Sequence, residues 1–432
     1  MRIELICTGD ELLCGDITDT NASWLATQLT DKGLKLSYKT TVADDLDELV
    51  DAFITRSKKA DFIIVNGGLG PTIDDLSAQA MAQALGESVV MFDEWVKQME
   101  QKFAAMNRKM LPSNLKQAQL PKSAEIIDNP VGTACGFKVV LNDCVFVFTP
   151  GVPREFKPMI SEQILPMLLA DTTDERNIKR YLCFGIGESA LAHQINELDM
   201  PYGVEFGYRA AMPFVELKLF SDASEVNGAE LEGVIAELEA LITPYIVVKD
   251  GNSLSLLVHE LLVEKARQIS ADEGREYKFA AVESCTGGMV ASQLVHYSGS
   301  SKYLNRSLVT YSNEAKQQLA NVGSKTLEHY GAVSTQTAEQ MAQGAVDKWD
   351  LDLAVSITGV AGPGGGSDEK PVGTVGFALA TTTDCYSQLL YLPNRGRTAV
   401  RETAAAIALD MVRRYLQGLD IIDEYQSFKS TR

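Results

Sequence analysis

The chain alternates short apolar runs with amphipathic stretches in two long segments, and this alternation restricts its fold more than any other feature. In the first segment the runs "IELICT", "LSYKTTV" and "DFIIVNGG" are separated by helical patterns near residues 20–32 and 46–59. The alternation resumes near Leu254 with "KFAAVES", "NRSLVTYS" and "DLAVSIT". Strands that alternate with helices of these lengths are typical of doubly wound sheets, in which ligands bind at the carboxyl ends of the strands.

The pattern changes between these two segments, which predicts three domains. Residues 171–250 contain "RYLCFGIGES", "VEFGYRAAMPFVELKLF" and the acidic helix "GAELEGVIAELEALI", as in a small α+β module. The polar runs "ADTTDERN" and "KDGNS" mark its two ends. We therefore expect an α/β protein in which two doubly wound α/β domains, residues 1–170 and 251–420, are joined by this module. The chain after Leu419 is expected to fray.

Composition narrows the class of protein further. The 432 residues are 45% hydrophobic and 22% charged, as in soluble globular proteins, and no run approaches the ~20 apolar residues of a membrane span. The seven cysteines are scattered and odd in number, which favours a reducing cytoplasm over a disulfide framework. A formal net charge of −19 disfavours binding to nucleic-acid phosphates. We expect a cytoplasmic homodimer that acts on small molecules, with no nucleic-acid or membrane partner.

The segment "AAVESCTGGMVASQ" places Ser284 between the end of a strand and the start of a helix. The unpaired N–H groups of residues 285–288 would point toward the Ser284 hydroxyl, and such a helix start suits an oxyanion or a phosphate. Two interpretations remain open from these residues alone. Ser284 is either a nucleophile or the N-cap of a helix, a position at which serine is common.

A serine nucleophile needs a base, and none of the four histidines lies in a loop at a strand end. The segment "TYSNEAKQ" instead places Lys316 in the first turn of a helix, where the helix dipole and partial burial would lower the pKa of its amine. The alternative is a solvated surface lysine. The glycine-rich "SITGVAGPGGGSDEKPVGT" could wrap an anion or could be a flexible connection, and Arg397 and Arg401 could clamp a phosphate.

Acidic and glycine-rich loops follow the strands of the first segment: "TGDELLCGDITDTN", "NGGLGPTIDD", "NPVGTAC" and "TPGVPRE". Carboxylates that converge from several strand ends suit Mg²⁺ or a similar hard ion, and the glycines of "GGLGPT" let backbone N–H groups approach a diphosphate. The alternative for any one of these acids is a helix cap or a solvated charge.

Five blocks in the second segment carry a family resemblance: "VESCTGG", "VTYSNEAK", "GAVS", "ITGVAGPGGG" and "KPVGTV". They resemble the carboxyl-terminal domain of the CinA family, a nicotinamide-nucleotide amidase that hydrolyses nicotinamide mononucleotide (NMN) to nicotinate mononucleotide and ammonia. The resemblance implies, without a metal, a nucleophile at Ser284, a general base at Lys316 and assistance from Tyr311. It also implies that the nucleotide is bound by Thr286, Gly287, Asn313, Thr358, Gly364, Gly365, Arg397 and Arg401.

The loops of the first segment are similar to the amino-terminal CinA domain, through "GDELLCGDITDTN", "GGLGPTIDDLS", "NPVGTACGF" and "TPGVPRE". That domain has the fold of molybdopterin-binding proteins and is linked in the family to metal-dependent ADP-ribose pyrophosphatase activity. The resemblance implies a divalent metal, Mg²⁺ or similar, at Asp10, Glu11, Asp75 and Glu155. It implies nucleotide binding by Gly9, Asn21, Gly68, Gly70, Thr72, Asn129 and Thr133.

Our preferred interpretation is therefore a bifunctional enzyme that cleaves the diphosphate of ADP-ribose in the first domain and deamidates NMN in the last. One alternative is that the first domain only binds a pterin or nucleotide and acts as a sensor. Another is an accessory role in DNA uptake or recombination, and the net charge and lack of a basic stripe weigh against it. Two departures from the family pattern, Val282 for Ala and Cys135 for Pro, remove no charged group.

Overall fold

A computed structural model describes residues 1–170, 176–222, 224–422 and 425–430. It divides into two compact units, one of Met1–Asn177 with Asp222–Ser224 and one of Ile178–Ser221 with Glu225–Arg432. Residues 171–175 of the linker "ADTTDERN" lie outside the described residues, and the domain boundaries 1–170, 171–250 and 251–420 stay a prediction. No helix in the described ranges is long and apolar enough to cross a membrane.

The first unit is built on a sheet of six described strands in the order β2-β1-β3-β8-β7-β6. Strands β1, β2, β3 and β8 run parallel, whereas β6 and β7 are antiparallel to their neighbours. Two further strands, β4 and β5, form a small antiparallel ribbon. The strands are β1 Ile3–Thr8, β2 Leu36–Val42, β3 Phe62–Asn66, β4 Val89–Met91, β5 Gln119–Pro121, β6 Glu125–Ile127, β7 Gly136–Leu141 and β8 Cys144–Thr149.

Helices cover both faces of this sheet, and each face has its own apolar core. One core joins α3, α4 and α5 to the sheet through residues such as Phe53 and Trp95, and the other joins α2, α6 and α7 through residues such as Leu25 and Phe156. The helices are α1 Asp10–Leu13, α2 Thr20–Asp31, α3 Leu46–Ser57, α4 Ser77–Leu85, α5 Asp93–Ala105, α6 Pro153–Met159 and α7 Leu165–Ala170, with a 3₁₀ helix at Pro112–Ala118 and a π-helical turn at Ile160–Ile164. This is the predicted doubly wound arrangement.

The small module lies mainly in the second unit and has a sheet of four strands in the order β10-β11-β9-β12. Its elements are β9 Arg176–Phe184, α8 Glu188–Ile195, β10 Val204–Ala211, β11 Phe214–Asp222, α9 Gly228–Ile242 and β12 Ile246–Lys249. The β10/β11 and β9/β12 pairs are antiparallel. An apolar core that contains Leu191, Leu217 and Leu238 joins the two helices to the sheet, which agrees with the predicted α+β module.

The rest of the second unit has a sheet of six described strands in the order β14-β13-β15-β16-β17-β18. The strands are β13 Phe279–Glu283, β14 Leu304–Val309, β15 Leu353–Gly359, β16 Thr374–Thr381, β17 Cys385–Tyr391 and β18 Lys429–Ser430. The first three strands are mutually parallel, and β16, β17 and β18 follow in antiparallel order. The three parallel strands therefore end at one edge of the sheet.

Helices again pack on both faces, which confirms the predicted α/β class. Helices α10, α11 and α15 share one apolar core and α12 and α14 share the other. The helices are α10 Leu254–Glu273, α11 Met289–Val295, α12 Asn313–Ala320, α13 Ser324–Tyr330, α14 Thr335–Trp349 and α15 Arg397–Leu416, with a 3₁₀ turn at Ser300–Lys302.

The described residues after Leu419, which are 420–422 and 425–430, do not fray as expected, because the aromatic rings of Tyr425 and Phe428 pack against Phe184 of the same unit. Tyr425 is buried, and its ring contacts Phe184 and Phe428 at centroid distances of 5.2 and 5.4 Å. Its hydroxyl donates to the buried Asp410 carboxylate of α15 at 2.9 Å. Gly185 has a φ of +76°, and a side chain there would meet the Tyr425 ring. The expectation was wrong because the segment pairs apolar rings with a buried acceptor.

We expect Tyr425→Ala to destabilise the second unit by about 3 kcal/mol, since truncating a buried aromatic ring leaves a cavity. Tyr425→Phe keeps the ring and removes only the hydrogen bond to Asp410, so its cost should be about 1 kcal/mol. Urea unfolding, monitored by limited proteolysis of the second unit, measures both changes in the free energy of unfolding. Equal stability of the Ala variant and the parent would show that this segment is not docked in solution.

Candidate active site

The parallel register of β14, β13 and β15 brings three hydroxyl residues to one edge of the sheet. Glu283, the last residue of β13, pairs with Val309 on one side and Ile357 on the other. The next residue of each strand path is Ser284, Thr310 or Thr358. The Ser284 N–H donates to the Ile357 carbonyl at 2.9 Å, and the Thr310 N–H donates to the Glu283 carbonyl at 2.8 Å. Ser284 therefore lies between its two neighbouring strand ends.

Lys316 reaches Ser284 from the first turn of α12. Its Nζ lies 3.0 Å from Ser284 Oγ and donates to the Thr310 carbonyl at 2.8 Å. The side chain is 1% exposed, and this burial lowers the pKa of the amine from 10.5 to about 8. The alternative of a solvated surface lysine is therefore wrong. A buried amine that is partly neutral near physiological pH and contacts a serine hydroxyl can act as its base.

The interpretation of Ser284 as a helix cap is wrong, because Glu283 caps α11 instead. The Glu283 carboxylate is fully buried and accepts the N–H groups of Gly288, Val290 and Ala291, each at 3.1 Å. The helix begins at Met289, and Gly287 and Gly288 have φ values of +64° and +93°. The expectation that all N–H groups of residues 285–288 face Ser284 Oγ is corrected too. Gly288 donates to Glu283, and Gly287 donates to the Ser284 carbonyl at 3.1 Å.

Tyr311 and the two predicted arginines lie around the same strand ends. Tyr311 is 62% exposed, and its hydroxyl accepts from Arg397 Nη2 at 3.0 Å. Arg397 Nη1 donates to the Gly362 carbonyl of the glycine-rich loop at 2.7 Å. Arg401 donates from Nε to the Cys285 carbonyl at 3.2 Å and from Nη2 to the Thr286 carbonyl at 2.8 Å. Arg397 thus links two loops, and Arg401 supports the turn that carries Ser284.

The other predicted nucleotide-binding residues occupy different environments. Thr286 is fully buried, and its hydroxyl is one of the buried oxygens that have no hydrogen-bond partner among the described residues. Thr358 is also buried and donates to the Ala332 carbonyl at 2.6 Å, which joins the "ITG" and "GAVS" blocks. Asn313 is exposed at the start of α12. Gly364 and Gly365 lie in the exposed glycine-rich loop, as an anion-wrapping segment requires.

Sequence analysis missed two residues of this site, Glu283 and Thr310. Thr310 is fully buried, and its carbonyl holds the amine of Lys316. The signal for Glu283 was available in the sequence, since an acid ends the otherwise apolar strand "FAAVE". A buried carboxylate requires hydrogen-bond donors, and the following helix start supplies them.

The first unit has a separate cleft of about 550 Å³ at the carboxyl ends of β1, β3 and β8. Its lining includes most of the residues predicted for this domain, and Asp44 and Asn66, which were not predicted, also line it. The predicted residues in the lining are Gly9, Glu11, Asn21, Gly68, Gly70, Thr72, Asp75, Thr133 and Glu155. Neither Asp10 nor Asn129 is among the lining residues described for this cleft. The four acidic or glycine-rich loops therefore do converge, as their positions after the strands indicated.

A buried amide network forms the floor of the cleft. Asn21 Nδ2 donates to Asn66 Oδ1 at 3.0 Å and to the Gly151 carbonyl at 2.8 Å, and Asn66 Nδ2 donates to the Pro150 carbonyl at 2.7 Å. Within the described ranges, the buried Asn21 Oδ1 and Thr8 Oγ1 have no hydrogen-bond partner. Unsatisfied buried oxygens at a cleft are available to a polar ligand.

Asn129 and Thr133 shape the loop "NPVGTAC". Asn129 is fully buried, its Nδ2 donates to the Ala134 carbonyl at 2.8 Å, and its Oδ1 accepts the Gly132 N–H at 2.9 Å. Thr133 donates to Gln117 Oε1 at 3.1 Å. Asn129 Nδ2 also donates to Glu155 at 2.7 Å, so this side chain has a structural role in its own loop and links that loop to Glu155.

The predicted metal ligands are in three places around the cleft. The Asp10 and Asp44 carboxylates each accept the other residue's N–H at 3.3 Å. Burial, together with the charges of Asp10, Glu11 and Asp74, raises the pKa of Asp44. The Asp75 carboxylate accepts from the N–H of Thr72 at 2.8 Å and from its hydroxyl, and Glu155 accepts from Asn129 Nδ2 at 2.7 Å.

No group of three or more His, Cys, Asp or Glu side chains in the described residues is arranged to hold a metal ion. The four predicted ligands therefore stay a prediction. The donor chemistry nevertheless suits a hard cation, because burial and the charges of three neighbouring carboxylates raise the pKa of Asp44, and a cation would offset those charges.

Two family models match the chain. The model of the CinA C-terminal domain matches residues 263–416, and the model of a probable molybdopterin binding domain matches residues 4–170. The first match contains Ser284 and Lys316, and the second contains the cleft of the first unit.

Full-length relatives extend the similarity over the whole chain. A "CinA-like protein" of Shewanella loihica is 47% identical over 430 residues, which are 99% of each chain. The "Nicotinamide-nucleotide amidohydrolase PncC" of Shewanella oneidensis is 46% identical over 429 residues, again 99% of each chain. A crystal structure of "competence/damage inducible protein CihA" from Agrobacterium tumefaciens is 40% identical and covers 37% of this chain and 96% of its own, with a TM-score of 0.33. By its identity to relatives of the same length, this chain belongs to the CinA family.

Proposed function

We propose that the second unit is a nicotinamide-nucleotide amidase that uses Ser284 and Lys316. One observation carries this proposal: a buried lysine amine, with its pKa lowered to about 8, contacts a serine hydroxyl at 3.0 Å. A serine nucleophile without a histidine needs such a partner, because a serine hydroxyl is a weak nucleophile until a neighbouring base removes its proton. The name of the Shewanella oneidensis relative supports the substrate, which is NMN.

In the first step Ser284 Oγ attacks the carboxamide carbon and Lys316 Nζ accepts the hydroxyl proton. The negative charge that develops on the amide oxygen requires donors fixed in place before the reaction. The N–H groups of Cys285 and Thr286, which follow the nucleophile directly, are the donors that we assign to it.

In the second step the ammonium group of Lys316 returns the proton to the amide nitrogen, the C–N bond breaks, and ammonia leaves. A water molecule then attacks the acyl–Ser284 ester, and Lys316 accepts its proton and passes it to Ser284 Oγ. The products are ammonia and the nicotinate carboxylic acid, which ionises and gives its proton to ammonia or to water, and the enzyme returns to its starting state. Lys316 can serve as both base and acid because its pKa lies near physiological pH.

We assign the phosphate of NMN to Arg397 rather than to Arg401. Arg401 already donates from two nitrogens to the carbonyls of the Ser284 turn. Arg397 lies exposed at the start of α15, beside Tyr311 and the glycine-rich loop. A guanidinium there can bind a phosphate from solvent, and Tyr311 would position the nucleotide with it.

We expect Ser284→Ala to lower the rate of ammonia release from NMN by about 10³-fold or more, because it removes the nucleophile. Lys316→Met should lower the rate as severely and leave NMN binding nearly intact. Ammonia can be assayed with a coupled enzyme, and binding by calorimetry.

Two exposed residues of the same domain provide matched controls. Ser292→Ala and Lys325→Met change the same residue types on α11 and α13, outside the site, and should keep the parent rate. Full activity of Ser284→Ala would exclude it as the nucleophile, and an unchanged rate in Lys316→Met would exclude the base.

The rate should depend on pH through Lys316. Only the neutral amine accepts the Ser284 proton, so protonation at low pH removes the base. We therefore expect kcat/KM for NMN to rise about tenfold per pH unit at low pH and to level off above about pH 8, where the lowered pKa of Lys316 lies. A profile that is flat from pH 6 to 10 would contradict the assignment.

For the first unit we propose metal-dependent cleavage of ADP-ribose to AMP and ribose 5-phosphate, with pterin or nucleotide sensing as the alternative. The supporting observation is the polar cleft of about 550 Å³ with unsatisfied oxygens on Asn21 and Thr8. Asp10, Glu11 and Asp44 would hold a divalent ion together with Asp75 and Glu155. When bound, such an ion offsets the charge of the diphosphate.

We expect AMP to form from ADP-ribose only when a divalent ion is present, with no AMP in EDTA. Asp75→Asn keeps an oxygen to accept from Thr72 but removes the negative charge, so it should abolish AMP formation if Asp75 binds the metal. Glu162→Ala, an exposed acid of the π-helical turn, is the matched control and should keep the activity. Binding of ADP-ribose in calorimetry without AMP formation under any metal would favour the sensor.

We also propose that the chain acts as a cytoplasmic homodimer.

A further inference from the structure

Glu283 is connected through hydrogen bonds to the segments that carry Ser284 and Lys316. Its side chain is fully buried at the end of β13. One carboxylate oxygen accepts the N–H groups of Gly288 and Val290, and the other accepts that of Ala291. The carboxylate therefore satisfies most of the unpaired donors of the first turn of α11 from five to eight residues upstream.

Because Glu283 caps α11 from this distance, the hydroxyl of the intervening Ser284 is not needed as a helix cap. A serine that caps a helix uses its hydroxyl oxygen to accept a backbone N–H. Gly288, at the cap position of α11, has no side chain to do so, and Glu283 replaces it. The Ser284 hydroxyl is left outside the helix, where it contacts the amine of Lys316.

The main chain of Glu283 acts on the other partner. Its carbonyl accepts the Thr310 N–H at 2.8 Å, and the Thr310 carbonyl in turn accepts from Lys316 Nζ at 2.8 Å. Glu283 thus fixes the turn that follows it through its side chain and the end of β14 through its backbone. Both Ser284 and Lys316 are positioned relative to this one residue.

We propose that Glu283 is a positioning residue of the amidase, whose buried carboxylate holds the Ser284 turn away from the helix and against Lys316. The inference rests on the proposed amidase function. Both oxygens of the carboxylate accept N–H groups, so only a carboxylate of this length satisfies the turn. Glutamine would direct its NH₂ group at a backbone N–H, and aspartate is one methylene too short to reach α11.

The test compares Glu283→Gln with Ser253→Ala, which removes the cap of α10 in the same unit, where Ser253 Oγ accepts the Leu256 N–H at 3.1 Å. We expect Glu283→Gln to lower kcat for NMN by about 100-fold with little change in KM, since a displacement of about 1 Å at a reacting group has such an effect. Ser253→Ala should lower the melting temperature yet keep kcat. Parent kcat in Glu283→Gln would overturn the proposal.

The pH profile separates positioning from a direct effect of charge. Lys316 stays buried in Glu283→Gln, so the midpoint of its pH–rate profile should remain near that of the parent. If Glu283 acted by stabilising the ammonium group, its neutralisation would lower that midpoint, because a lost negative charge disfavours a nearby cation. A lowered midpoint would therefore overturn the positioning role.

Two further measurements test the positioning role of Glu283 even if Glu283→Gln does not fold or if the protein does not hydrolyse NMN. If Glu283→Gln does not fold, Gly288→Ala takes its place in the test, because it disturbs the same left-handed turn and leaves the carboxylate in place. We expect the same loss of kcat in Gly288→Ala. A fluorophosphonate probe, which forms an Oγ–P bond and releases fluoride, reports Ser284 reactivity without NMN. If the parent does not hydrolyse NMN, its labelling rate should still exceed that of Glu283→Gln by about 100-fold, and equal labelling would overturn the inference.

Discussion

The burial of one amine, that of Lys316, sets the conditions that the rest of the second unit's site has to meet. An ammonium group out of water is strongly destabilised, so burial favours the neutral amine and lowers its pKa to about 8. A neutral amine needs acceptors for its N–H groups and leaves a lone pair for a proton. The Thr310 carbonyl supplies an acceptor, and Ser284 Oγ, whose proton the amine would accept on the proposed mechanism, lies 3.0 Å from Nζ. The register of three parallel strands makes this contact possible, because it places the ends of β13 and β14 side by side.

The two units use similar topology for opposite electrostatic situations. In each, loops at the carboxyl ends of parallel strands form the candidate site. The second unit buries the amine of Lys316, whereas the first unit brings several carboxylates together. The pKa of Asp44 is raised because burial and like charges disfavour its ionised form. On the proposed functions, a divalent cation would offset the carboxylates of the first unit, and the buried amine of the second unit would act as a base. The chemistry therefore depends on the loops rather than on the sheet that carries them.

The sequence was most informative where a local pattern determines the structure. Apolar runs such as "IELICT" become buried central strands. Ser284 and Lys316 could be predicted to lie together because each follows a strand that ends at the same sheet edge, and the structure places the two side chains in contact. The Glu283 cap was missed because capping rules expect the cap immediately before the helix, not five residues upstream. Asp44 was missed because its proximity to Asp10 depends on β1–β2 pairing, which no local pattern contains.

Arg401 of helix α15 is bonded to the turn that follows Ser284, and the geometry of the peptide unit determines which way the N–H groups of this turn point. Arg401 donates to the carbonyls of Cys285 and Thr286. Because the peptide unit is planar and trans, the carbonyl of Cys285 and the N–H of Thr286 point in opposite directions. Fixing the carbonyl toward Arg401 therefore directs the Thr286 N–H away from α15. On the proposed mechanism that N–H is an oxyanion donor, so Arg401 stabilises the transition state through a peptide plane rather than by contact with the substrate.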